Sequence, residues 1–147
     1  MKKAAIVALL VINWGCATVS PPTTPSQSAP LYPLKSLPGL YEGKISSGGL
    51  DWRSITRFQV VKNGKIVGTY TFNDNQGRVD GTLDDCQTEG PYTLLCTWKD
   101  KYGVGKLRIL FSEEARWFRG FWGSGANDTL MLWEGIKTER EPDFTGK

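Results

Sequence analysis

The sequence contains no histidine among its 147 residues. That removes the side chain most often used as a general base near neutral pH, together with the Ser-His and Cys-His nucleophile pairs. It also removes the commonest metal ligand, and the three cysteines, Cys16, Cys86 and Cys96, are not spaced to supply four ligands by themselves. Carboxylates offer no substitute. Asp84-Asp85 and Glu113-Glu114 fall at expected strand ends, where solvated turns account for them. Asn73-Asp74-Asn75-Gln76-Gly77 lacks the acidic spacing and the closing bidentate glutamate of a calcium loop. The sequence therefore predicts a protein that is not an enzyme and carries no metal or cofactor. A strong charge excess is missing too: 18 basic residues stand against 15 acidic ones without a lysine or arginine run, which argues against a nucleic-acid partner. No segment holds a helical period over three turns.

The N-terminus reads as a processing signal. Lys2 and Lys3 form a basic start and Ala4–Ile12 an apolar stretch of nine residues, too short for the roughly 20 needed to span a bilayer. The following Ile12-Asn13-Trp14-Gly15-Cys16 resembles a bacterial lipoprotein signal, with Gly15 as the small residue before the cysteine. Asn13 and Trp14 depart from the aliphatic and small residues usual at those places. The resemblance implies cleavage after residue 15 and lipid attachment at Cys16 through palmitate-class acyl chains, and hence a membrane partner held by an N-terminal anchor. Ala17 is not the aspartate that commonly retains such proteins in the inner membrane, so the resemblance implies an outer-membrane lipoprotein facing the periplasm or the cell surface. Ordinary secretion with Cys16 left free or paired is the competing reading. Without Lys2 and Lys3 the 18 basic residues become 16, against 15 acidic ones, and the mature chain is nearly neutral.

Residues 16–37 form an expected leash. Pro21, Pro22, Pro25 and Pro30 stand among Thr, Ser and Ala with little to bury, so ordering them would cost entropy that nothing offsets. If Cys16 carries lipid, Cys86 and Cys96 remain to pair in an oxidising compartment; two reduced, buried thiols are the alternative.

Residues 38–138 predict one all-β domain, followed by a tail over 139–147. Six Trp, six Phe, five Tyr and seventeen Gly suit a curved sheet better than helices. Strands are expected at Gly39–Ile45, Ile55–Lys62, Lys65–Asn73, Arg78–Asp84, Tyr92–Asp100, Gly103–Phe111, Trp117–Gly123 and Thr129–Lys137. Asn63-Gly64 predicts a type I′ hairpin turn. Eight strands joined by short connections describe an antiparallel up-and-down meander, which removes its exposed edges by closing into a small barrel. Period-two alternation places Tyr41, Ile45, Phe58, Val60, Ile66, Tyr70, Phe72, Val79, Leu83, Leu94, Cys96, Trp98, Leu107, Ile109, Phe111, Phe118 and Trp122 on the inner face.

Gly68-Thr69-Tyr70 and Phe118-Arg119-Gly120, with Trp98 between them, are similar to the ring-bearing strands of calycin-type barrels, the lipocalin-like and avidin-like group. The resemblance implies the barrel architecture and a possible ligand mouth. Biotin is not carried over, because several polar ligands of the avidin-like site have no counterpart here. Two functional readings follow. In one, an envelope protein or component binds the outer surface, since Trp117 and Phe121 fall opposite Phe118 and Trp122, and Leu130 and Leu132 add apolar surface; the alternative covers are a second copy, or the Leu31–Leu37 segment and the C-terminal tail of the same chain. In the other, Tyr70, Trp98, Trp122 and Trp133 line an open mouth that carries a small apolar ligand, the plain alternative being that these rings are core. Tyr102 and Gly103, at a hairpin tip, are further contact candidates.

Overall fold

The computed structural model describes residues 35–125 and 130–141. The signal, Cys16, most of the leash, Thr129 and the end of the tail lie outside the described residues. Eight strands follow one another: β1 (Gly39–Ser47), β2 (Leu50–Val60), β3 (Ile66–Asp74), β4 (Gly77–Gly90), β5 (Thr93–Asp100), β6 (Gly103–Phe111), β7 (Trp117–Gly123) and β8 (Met131–Thr138). Each pairs antiparallel with the next, and β1 pairs with β8 from Leu40↔Thr138 to Ile45↔Trp133, closing the barrel. Closure gives every strand two neighbours over most of its length, with the ends Gln59–Val60 of β2 and Gln87–Gly90 of β4 paired on one side.

The expected all-β meander is the observed fold, and the departures from it are local. β2 starts at Leu50, five residues early, because Gly48 and Gly49 both take positive φ (60° and 79°) and reverse the chain at once. The β2–β3 turn is not type I′. Only Gly64 is left-handed (φ 76°); its N–H donates to Val61 O, and the Val61 N–H donates to Lys65 O. That is the three-residue loop with a glycine bulge, which tolerates Asn63 in an ordinary conformation. Val60, expected inside, is exposed: β1 pairs with β2 only as far as Gly39↔Phe58, so the last turn of β2 runs past the barrel wall.

β4 extends to Gly90 instead of ending at Asp84. Its register against β5 shifts between Asp84↔Thr97 and Gln87↔Leu95, so Asp85 and Cys86 oppose the single residue Cys96. Asp85 absorbs this bulge with φ 49°. The bulge brings Cys86 against Cys96 across the strand pair, Cα to Cα 4.0 Å, and the two form a disulfide.

Rings fill the interior from end to end. Near the β6–β7 turn, Tyr41, Phe58, Phe111 and Phe118 pack with centroids 5.4–6.0 Å apart, mostly edge to face. Gly135 makes room here, since a Cβ would lie 2.7 Å from the Phe118 ring. The Tyr41 hydroxyl sits 2.9 Å from Leu37 O and 2.8 Å from Ala115 O, tying the entry of the chain to the β6–β7 turn. Burial raises its pKa far above that of an ordinary phenol. Leu37 itself is buried and belongs to the domain, so the leash expected over residues 16–37 ends before it.

Candidate functional site

The four candidate mouth residues stand at the other end of the barrel, toward the β1–β2, β3–β4 and β5–β6 turns. Tyr70, Trp98 and Trp133 are buried, and Trp122 is half-buried. Tyr70 meets Trp133 edge to face at 4.5 Å, and Trp98 meets Trp122 in the same way at 5.1 Å. Their polar edges bond to the protein. The Trp133 indole N–H donates to Thr56 Oγ1 (3.1 Å), that of Trp98 to Gly123 O (3.0 Å), and that of Trp122 to Ser46 O (3.1 Å). The Tyr70 hydroxyl donates to Asp100 Oδ2 at 2.9 Å, and burial, then this bond, push its pKa well up. Gly81 accommodates the Tyr70 ring, for a Cβ there would lie 2.2 Å from Cζ. The structure thus brings the four rings together as a packed, hydrogen-bonded end of the core. Ser54 Oγ, buried nearby on β2, has no hydrogen-bond partner among the described residues.

At the rim beyond these rings, the Tyr102 hydroxyl donates to Asp74 Oδ2 (2.5 Å), and this bond holds the Asp74 carboxyl below the usual carboxylate range. Asp74 Oδ1 accepts from the Gln76 N–H at 2.7 Å, so Asn73–Gly77 is organised as an Asx-type turn. Asp84 accepts from Thr82 Oγ1 and Glu114 pairs with Arg116; each carboxylate is bound to a neighbour on its own strand or turn.

The partner-face candidates do stand outside. Trp117 (46% exposed), Phe121 (45%) and Leu130 (70%) face solvent, while Leu132 is half-buried. Register sets them in rows across the β7–β8 hairpin: Trp117 opposite Ile136, Arg119 opposite Glu134, Phe121 opposite Leu132. Ile136 (70%) and, on β6, Leu110 (50%) extend the apolar surface. Both were missed in the sequence. Counting by twos from the buried Trp133 and from Ile109 would have placed them outside.

Between the apolar rows lies an ionic one. Arg119 Nη2 is 3.0 Å from Glu134 Oε2, and Lys44 Nζ is 3.8 Å from Glu134 Oε1 while also bonding Asp51 at 2.8 Å. A groove of about 450 Å³ runs over this part of the wall, lined by Glu42, Lys44, Trp117, Arg119, Glu134 and Ile136 among others. Compared with models of protein families, with curated proteins and with solved structures, the chain matches none.

Proposed function

We propose that this is a lipid-anchored protein of the bacterial cell envelope, held at the outer membrane through Cys16, whose barrel is a non-catalytic recognition domain that binds an envelope protein. One observation carries the reading: the barrel spends its own rings on filling its interior, yet leaves Trp117, Phe121, Leu130 and Ile136 uncovered on one side of its outer wall. Large apolar side chains grouped in rows on one wall mark an interaction surface more often than hydrophobics scattered singly. A small-ligand carrier instead needs room among Tyr70, Trp98, Trp122 and Trp133, and those side chains are packed on one another.

Two experiments test the two halves. Incorporation of labelled palmitate, abolished by Cys16→Ser, supports the anchor; unchanged incorporation, or none in the parent chain, removes it. Replacing Trp117 and Phe121 by serine addresses recognition. Loss of the chain's envelope complexes on native gels, with the thermal transition unmoved, supports a partner on this face. Retained complexes contradict it, and a collapsed transition shows that the rings serve the fold.

A further inference from the structure

We propose that the partner on the outer face of β7–β8 is a second copy of this chain. The inference rests on the recognition reading above and names the occupant of that same face. Its basis is the pattern of rows: apolar (Trp117, Ile136), ionic (Arg119, Glu134), apolar (Phe121, Leu132). A face-to-face dimer has its two-fold axis in the plane of contact. An axis lying parallel to the strands between β7 and β8 exchanges the two strands and keeps each row in place. Trp117 then meets Ile136 of the second copy, Phe121 meets its Leu132, and Arg119 meets its Glu134, with the reciprocal contacts made at the same time. Every cross-strand pair inside the hairpin is thereby repeated between molecules, and no like charges are brought together on these rows. Turning the axis perpendicular to the strands would place Arg119 on Arg119, which selects the first arrangement.

The shape agrees. The barrel is closed, so its long exposed apolar surface is a face and not a strand edge, and a convex wall touches its copy along a narrow strip, here the six side chains of these rows. That strip is small beside the 20–30 residues a side of a standard stable interface, so the dimer is weak in dilute solution. Anchoring both copies in one membrane raises their effective concentration and favours it.

Sedimentation equilibrium of the full chain, taken up to millimolar concentration, tests this with charge variants. The parent chain is expected to dimerise reversibly. Arg119→Glu makes both exchanging positions, 119 and 134, acidic and Glu134→Arg makes both basic, so each variant alone is expected to stay monomeric. Mixed in equal amounts they are expected to form a heterodimer, because the acidic row now meets the basic one; the reciprocal double variant R119E/E134R recovers the homodimer. An unrelated partner gives no reason for that mutual rescue. Ile136→Asp, at a site too exposed to matter to folding, provides a second variant should either charge reversal unfold the barrel, and is expected to be monomeric. A parent chain monomeric at every concentration, or folded single variants that fail to rescue each other, overturns the proposal. In-cell photo-cross-linking from position 121 then separates the two readings. A product with a different envelope protein leaves recognition standing and excludes the second copy, and the absence of any product removes both.

Discussion

Tyr41 and Ser54 face the same interior and are predicted to behave oppositely. The Tyr41 hydroxyl lies within hydrogen-bond distance of two backbone carbonyls, Leu37 O four residues away and Ala115 O 74 residues away in the chain. Tyr41→Phe leaves the ring cluster in place and strands those acceptors, so it should cost about 1–2 kcal/mol. Ser54 has a buried hydroxyl that bonds to nothing described. Ser54→Ala removes a group whose desolvation is uncompensated and should leave stability unchanged or raise it by up to about 1 kcal/mol. Urea unfolding of the two variants beside the parent checks both. A destabilised Ser54→Ala would show that the hydroxyl is satisfied by a group outside the described residues or by water.

At the scale of strands, the disulfide is the feature whose geometry sequence reading expressed least well. The pair itself was expected, from an odd cysteine count. Its setting was not: the polar run Asp84–Gly90 carries no apolar alternation and predicts a strand end at Asp84, whereas backbone pairing through the Asp85–Cys86 bulge continues β4 to Gly90. The cross-link closes a short loop, with a sequence separation of 10. Reduction should therefore lower stability by about 2–3 kcal/mol while the far-ultraviolet spectrum keeps its β character, which unfolding curves with and without reductant would measure. No loss on reduction would mean that the β4–β5 pairing already restricts the unfolded chain.

Strand order was legible because Gly, Asn and Asp punctuate the chain and because Phe, Leu, Ile and Trp alternate between them. The role of the rings was not. A ring that packs a core and a ring that lines a cavity occupy the same alternating positions, and only the contacts Tyr70–Trp133 and Trp98–Trp122, between strands distant in sequence, tell them apart. The outer face was half legible: Trp117 and Phe121 stand out against the alternation, whereas Ile136 and Leu110, outward by the same alternation, are brought beside them by the register of β6, β7 and β8.

For the whole molecule, the absence of histidine makes a prediction about pH. Asp51, Asp74 and Asp80 are held below the ordinary carboxylate value, first by hydrogen bonds from Lys44, Tyr102 and Arg78 respectively. A depressed folded-state pKa contributes stability that is complete above the unfolded value, near about 4, and is lost as pH falls through the folded value. The melting temperature should thus stay level from about pH 6 to 8, where no side chain of unperturbed histidine type titrates, and fall on the acid side of that window. A step within that neutral window would point to a strongly shifted group that the structure does not show.

The whole molecule is a barrel closed on itself and filled by its own rings, with Trp117, Phe121 and Ile136 exposed on the one side of its outer wall that is proposed to meet a partner. The most direct measurement is photo-cross-linking in intact cells from two positions on opposite walls, Phe121 on β7 and Thr82 on β4, each replaced in turn by a photoreactive residue. A discrete product from position 121, at twice the mass of the chain, with none from position 82, is the predicted result. Products from position 82 with none from position 121 would contradict the account.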